Sequence, residues 1–164
     1  MIRKDYVNAI TDSERKRQSA YVWMLLQKAL ADIKVDGNFS VDSKGRWRII
    51  EGGARFSLTH SGNIVAVAVG NSEYLGVDVE KCAEKVLKLQ SKLGDYKATN
   101  MSNIEYLTRE WTKKESAYKA GKKCDFYSRK VFDKIGNEYF ITLCTKDKFD
   151  EFEYVDVKKI FKLK

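Results

Sequence analysis

Asp78 and Glu80 stand two residues apart at the end of Y-L-G-V-D-V-E, an otherwise apolar run of strand type. Side chains alternate across a strand, so the two carboxylates point the same way. Two carboxylates a few ångströms apart repel by roughly 1 to 4 kcal/mol, depending on the effective dielectric. Such a pair is either solvated at a strand end or held by a cation, and a divalent cation turns the repulsion into binding. Gly76, just before the pair, permits close backbone approach at that point.

A third acid lies in W-T-K-K-E-S-A-Y-K. On a helix, Glu115 and Lys119 are four apart and share a face, and Trp111 lies one turn earlier on the same stripe. The plain reading is an exposed i,i+4 ion pair worth about 0.3–0.5 kcal/mol. The chemical reading is that the two segments line one cleft with three carboxylates and an ammonium. Hard oxygen ligands of this kind suit Mg²⁺ with a phosphate ester completing its shell.

The chain has no proline and no low-complexity segment, so nothing marks a linker between independent domains. Residues 13–31 read as a helix with Ser13 as N-cap and Tyr21, Leu25, Leu26 and Leu30 at helical spacing. D-I-K-V-D-G-N ends it, and R-W-R-I-I reads as a short strand. Phe56 to Leu58 and Ile64 to Val69 flank H-S-G-N, a hairpin turn. I-V-A-V-A-V suits a buried strand, and N-S-E turns into Y-L-G-V-D-V-E. Residues 83–93 look helical, with most of Val86, Leu87, Leu89 and Leu93 in the core. Residues 103–120 read as an amphipathic helix with Ile104, Leu107, Trp111 and Tyr118 inward, stopped by Gly121. V-F-D-K-I-G-N-E-Y-F-I-T-L-C reads as a hairpin around G-N, and Val155 to Leu163 as a last strand. The order helix, strands, helices, strands is α+β rather than doubly wound.

Composition narrows the class. With 43% hydrophobic and 12% aromatic residues, disorder is not expected. No apolar run reaches the length of a membrane span, and M-I-R-K-D-Y has no apolar signal-peptide core. Cys82, Cys124 and Cys144 are odd in number and lack C-x-x-C spacing. They read as reduced thiols of a cytoplasmic protein. His60 is the only histidine, which excludes a multi-histidine metal site.

F-S-L-T-H-S-G-N-I-V-A-V-A-V-G, then Y-L-G-V-D-V-E-K, then W-T-K-K-E-S-A-Y-K-A-G resembles the signature set of the 4'-phosphopantetheinyl transferase superfamily, Sfp type, in a short form. The match is close over residues 56–80 and 107–121, with a weaker echo in 13–30. The resemblance implies two similar α+β halves, 1–74 and 75–164, in a pseudo-two-fold arrangement with the active site in the cleft between them. It implies an enzyme that moves the 4'-phosphopantetheine arm of coenzyme A to a serine of an apo acyl or peptidyl carrier protein, releasing 3',5'-ADP. It makes Asp78, Glu80 and Glu115 ligands of Mg²⁺, with Mn²⁺ able to substitute. Glu115, or a metal-bound water beside it, becomes the base, and Lys119 the partner of the coenzyme A diphosphate. His60 becomes a phosphate contact, as a hydrogen-bond partner or as an imidazolium. Thr59 stands in the place of the family's serine. Arg15, Arg17, Lys44, Arg46 and Arg48 become candidate phosphate clamps, where the family's proline-containing element is replaced by K-G-R-W-R and Arg46 is the best match to its lysine. Lys114 matches the lysine of the family's K-E pair, with an exposed helix lysine as the plain alternative. A carrier protein would dock between Asp78 and Trp111, on a monomer.

The net charge of +8 points to a polyanionic partner without choosing among coenzyme A, an acidic carrier protein and nucleic acid. Trp23, Trp47 and Trp111 beside basic residues invite a nucleic-acid reading, but Trp111 suits a core position and no nucleic-acid motif is present. No nucleic-acid or membrane partner is therefore expected. The alternative class is a non-enzymatic basic module that binds nucleic acid, or a degenerate transferase that holds coenzyme A or a carrier protein.

Overall fold

A computed structural model describes residues 7–35, 38–43, 47–49, 53–94 and 100–161. The described chain is mixed α+β, with three small antiparallel sheets and four α-helical segments. Helix α1 spans Ser13–Asp32. Its cap is Asp12 rather than Ser13, because the Asp12 carboxylate accepts the Arg15 N–H at 2.6 Å. Val22, Trp23, Leu26 and Leu30 form its buried face, while Tyr21 and Leu25 lie half-buried on its flank. Trp23 packs edge-on against Phe39, Trp47 and Phe56, with centroids 5.5, 5.3 and 6.3 Å away. Phe39 belongs to β1 (Phe39–Val41), and Trp47 to its partner β2 (Trp47–Ile49).

Strands β3 (Arg55–Ser61) and β4 (Ile64–Gly70) form a hairpin whose loop is only Gly62 and Asn63. Gly62 takes a positive φ of 51°, and a Cβ there would lie 2.6 Å from the Tyr139 hydroxyl. Val65, Val67 and Val69 face α1, while Ile64, Ala66 and Ala68 face a second core. Of this strand only Ala66 is fully buried, so I-V-A-V-A-V is half-buried rather than buried throughout.

The second core is built on a sheet of order β5-β7-β6, where β5 is Leu75–Lys81, β6 is Asp125–Phe132 and β7 is Glu138–Thr145. Val77, Val79, Tyr139, Ile141 and Leu143 fill it from one face of that sheet. The opposite face carries helix α3 (Asn103–Ala120). A capping box of Ser102 and Glu105 opens α3, and Gly121 at φ 81° closes it. Between β5 and α3 lie a 3₁₀ turn, Glu84–Leu89, and the short α2, Gln90–Leu93. Val86 enters the core here, whereas Leu87 is exposed.

The buried face of α3 is only in part the one its large apolar residues suggest. Leu107 is fully buried, and Ile104 and Trp111 pack on the cluster it forms with Val86 and Tyr106, but Tyr118 does not follow them. Tyr118 is 78% exposed, while Thr108, Thr112 and Ser116 are fully buried and Ala120 nearly so. Each of these hydroxyls is satisfied by a carbonyl of its own helix: Ile104 at 2.7 Å, Arg109 at 2.8 Å and Lys113 at 3.0 Å. Thr112 also reaches the Thr142 hydroxyl at 2.7 Å. Small side chains let the helix backbone come down onto β5 at Gly76. A Cβ at Gly76 would lie 2.0 Å from the Ser116 carbonyl oxygen and 2.5 Å from the Ala120 nitrogen.

Strands β3 and β5 run side by side in different sheets. The hydroxyls of Ser57, Thr59 and Ser61 accept the N–H groups of Val77, Val79 and Lys81 at 3.0, 3.3 and 3.1 Å. Side chains thus replace carbonyls along this seam. Opposite it, the two sheets open onto an apolar groove of about 920 Å³, flanked by α1 and the segment after β7. Phe149 and Phe152 of that segment pack on the second core. The segment ends in α4 (Val157–Ile160), a helical turn capped by Asp156, where a strand was expected from Val155 to Leu163. Asp156 accepts two backbone N–H groups, which closes a helical turn. No helix among the described residues is long and apolar enough to cross a membrane.

The contact at Gly76 sets a clear expectation. Gly76→Ala, forced against helix backbone, is expected to lower unfolding free energy by at least about 2 kcal/mol. Gly70→Ala, where an added Cβ meets nothing within 4 Å, is expected to stay within about 0.5 kcal/mol of wild type. Urea denaturation of both variants checks the pair.

Candidate functional site

The end of the seam opens into a cavity of about 390 Å³ lined by three elements that carry polar chemistry. β3 contributes Thr59 and His60, β5 contributes Asp78 and Glu80, and α3 contributes Trp111, Glu115 and Lys119. Apolar walls come from Val22 and Trp23 of α1, together with Trp47 and Leu58. The close approach at Gly76 brings the α3 stripe to the two strand acids.

Asp78 is 6% exposed. Its Oδ1 accepts the Thr59 hydroxyl at 3.0 Å and the Lys119 ammonium at 2.7 Å. Lys119 also donates to the carbonyls of Val77 at 3.2 Å and Leu58 at 3.4 Å. The three donors of the ammonium are therefore all engaged, and they clasp β3 to β5. Lys119 pairs with Asp78, not with Glu115 as helix spacing suggests. The buried carboxylate has the greater need of a counter-charge. Burial pushes the Asp78 carboxyl above its ordinary range, and Lys119 and Thr59 pull it partway back.

Glu80 accepts the Ser61 hydroxyl at 3.3 Å and pairs with Lys85. Lys85 is 64% exposed, so this second pair is of the weak surface kind. Glu115 is half-buried and makes no ion pair among the described residues. Oxygen donors thus face one cavity from two sides. Asp78, Glu80 and Glu115 line it together, although no group of three or more His, Cys, Asp or Glu among the described residues is gathered tightly enough to hold a metal ion. An ammonium already sits on Asp78, so the donor set accepts positive charge at this point.

Burial holds the His60 imidazole below its ordinary pKa, and the charges of Arg15 and Lys119 hold it lower still, against a smaller opposing effect of Glu80. At neutral pH it is an uncharged hydrogen-bonding group, which leaves the imidazolium role unfilled. The Thr59 hydroxyl lines the cavity, donates to Asp78 and accepts the Val79 N–H. Arg15 is exposed in the first turn of α1, near enough to act on His60. Arg17 lines the large groove rather than this cavity. Lys114 is exposed and does not line it. Lys44 and Arg46 lie outside the described residues.

Two residues on the seam escaped the sequence reading. Ser57 and Ser61 are buried partners of β5, and Ser61 also holds Glu80. Their signal is the period-two hydroxyl pattern of F-S-L-T-H-S, which places three hydroxyls on one strand face. No protein-family model matches the chain, and no curated protein matches it in sequence.

A single histidine makes the electrostatics of the cavity directly readable. The His60 ring resonance in a proton NMR titration is expected to move with a midpoint below the free-histidine value. Arg15→Ala should shift the midpoint upward, because it removes a positive neighbour. An unchanged midpoint in Arg15→Ala would show that Arg15 does not act on the cavity. The linkage has a definite sign: a histidine whose folded pKa is depressed costs stability as pH falls through its unfolded value. Wild type should therefore lose more stability than His60→Gln between pH 7 and pH 5, read by urea denaturation at each pH.

Proposed function

We propose that this protein is a Mg²⁺-dependent 4'-phosphopantetheinyl transferase of Sfp type. It moves the phosphopantetheine arm of coenzyme A to a serine hydroxyl of an apo acyl or peptidyl carrier protein. The observation that carries this reading is that the three separate sequence blocks deliver His60, Asp78, Glu80, Glu115 and Lys119 to one cavity. The two α+β halves, 1–74 and 75–164, are read as pseudo-two-fold mates. Each has a helix against antiparallel strands, α1 on β3–β4 and α3 on β5–β7–β6.

In this reading Asp78, Glu80 and Glu115 hold Mg²⁺, which when bound supplies charge to the oxygens of the diphosphate. Lys119 adds a second cation there and, through its contacts to Leu58 and Val77, fixes the spacing of the two halves. Neutral His60 donates a hydrogen bond to a phosphate oxygen, and Arg15 supplies positive charge at the mouth. Glu115, free of a competing ion pair, takes the proton of the carrier serine as its oxygen attacks the β-phosphorus. The bond from that phosphorus to the bridging oxygen breaks, and 3',5'-ADP leaves. Leu87, with Lys85 and Lys88 on the exposed 3₁₀ turn, offers an acidic carrier an apolar and basic docking edge.

The decisive test incubates the protein with coenzyme A, Mg²⁺ and a panel of apo carrier proteins. Transfer is expected to add about 340 Da to the carrier serine. EDTA and Asp78→Ala should each abolish it, and Mn²⁺ should restore what EDTA removed. Coenzyme A binding by calorimetry without transfer to any carrier would favour the degenerate binding module. Duplex DNA binding at physiological salt without coenzyme A binding would favour the nucleic-acid module.

The role of Glu115 is separable from metal holding. Glu115→Gln keeps size and an oxygen acceptor but loses charge and basicity. At saturating Mg²⁺ and coenzyme A, kcat is expected to fall roughly 10²-fold or more. Recovery to near wild-type rate at high Mg²⁺ would reduce Glu115 to a ligand and leave water as the base.

A further inference from the structure

Away from the cavity, two of the three cysteines meet at the foot of α3. The thiols of Cys124 and Cys144 both donate to the Lys122 carbonyl, at 3.7 and 3.5 Å. Cys144 also lies within hydrogen-bond reach of the Cys124 backbone and side chain. The fold brings them together in two steps. The chain leaves α3 at Gly121 and enters β6 at Asp125, and β6 pairs with β7 so that Phe126 lies opposite Cys144. Cys124, two residues before Phe126, thus sits diagonally across from Cys144, a spacing at the outer limit for a disulfide, so closing the bond also draws in the backbone between Gly121 and Asp125.

The two thiols differ in access. Cys124 is half-buried between Lys123 and Asp125, whereas Cys144 is fully buried. Lys122 and Lys146 gather over the Tyr74 ring nearby, at 5.4 and 4.4 Å, so the surface beside Cys124 is basic. Basic surroundings attract an anionic disulfide such as oxidised glutathione.

We propose that Cys124 and Cys144 form a reversible dithiol–disulfide site, with Cys124 as the attacking thiol and Cys144 as the resolving one. The Cys124 thiolate attacks one sulfur of glutathione disulfide and expels one glutathione. Cys144 then attacks the Cys124 sulfur and expels the second glutathione, whose thiolate takes up the Cys144 proton. Two protein thiols are oxidised and one glutathione disulfide is reduced to two thiols, so the exchange balances. The new bond staples the segment leaving α3 to the strand residue opposite Gly76, where that helix rests. Cys82 stands apart just past the end of β5, with neither of the other thiols beside it, so it serves as an internal control.

The test treats the native protein with glutathione disulfide, alkylates the remaining thiols and maps the peptides by mass. A Cys124–Cys144 linked peptide with Cys82 alkylated is the expected result. In Cys144→Ser the adduct should stop as glutathione on Cys124, and Cys124→Ser should leave Cys144 unmodified. Wild type that stops at a glutathione adduct on Cys124, or that keeps three free thiols, would overturn the proposal. Both wild-type outcomes are read without any variant, so a folding defect in Cys144→Ser does not obscure them.

Discussion

The seam between β3 and β5 is the constraint on which the rest of the architecture depends. A strand edge offers N–H groups that need acceptors when buried, and here three hydroxyls supply them. Thr59 and Ser61 do a second job with the same oxygen. Each accepts a backbone N–H and donates to a carboxylate, Thr59 to Asp78 and Ser61 to Glu80. Joining the halves and aiming the acids are therefore one set of bonds. Leaving a buried group of this kind unsatisfied costs about 1–3 kcal/mol, so the seam tolerates no apolar replacement of a single hydroxyl without loss. Lys119 completes the clasp by bonding a carbonyl from each strand.

The geometry of α3 follows from the same economy of size. A helix that buried leucines and tyrosines against β5 would stand farther off the sheet. A stripe of Thr108, Thr112, Ser116 and Ala120 brings its backbone into contact at Gly76. This close approach sets Glu115 and Lys119 at the height of Asp78 and Glu80. The hydroxyls along the stripe bond to carbonyls of their own helix, so the contact buries no unpaired donor.

These two features explain what was legible in the sequence. The helix of residues 13–31, both hairpins and the Gly121 stop follow from periodicity and turn residues. Strand alternation and helix spacing pair Asp78 with Glu80 and Glu115 with Lys119, and the expectation that both pairs share one cavity rests on the family resemblance. The inward placement of Tyr118 did not follow, because a hydrophobicity count assigns the large residues to the core and overlooks a small polar stripe. The Lys119–Glu115 pair failed for a related reason. Helix spacing ranks neighbours in sequence, whereas burial of Asp78 decides which acid needs the ammonium. Residues 157–160 were misread as strand, because Asp156 caps a helical turn there; the rest of that expected strand, to Leu163, lies in part outside the described residues. The seam serines were visible as a pattern but carried no meaning until β5 lay beside them.

Electrostatics gives the cavity its direction. A carboxyl whose folded pKa lies above its unfolded value contributes stability at low pH, and loses it as pH rises through the folded value. Ionised Asp78 at neutral pH is therefore a cost the fold carries, reduced but not removed by Lys119 and Thr59. Glu80, two residues on and on the same strand face, adds a like charge to it. A depressed His60 pKa has the complementary meaning: the same cavity refuses a proton on its only imidazole, since Arg15 and Lys119 already bring positive charge near it. Lys119 places its charge on Asp78, while Glu80 and Glu115 also face the cavity and Arg15 lies close enough to act on it from outside the lining. The acids are stabilised by added cation, and Arg15 and Lys119 by added anion. A phosphate ester carried with a divalent cation satisfies both at once, which is the physical reason the transferase reading suits this cavity better than a purely basic binding surface does.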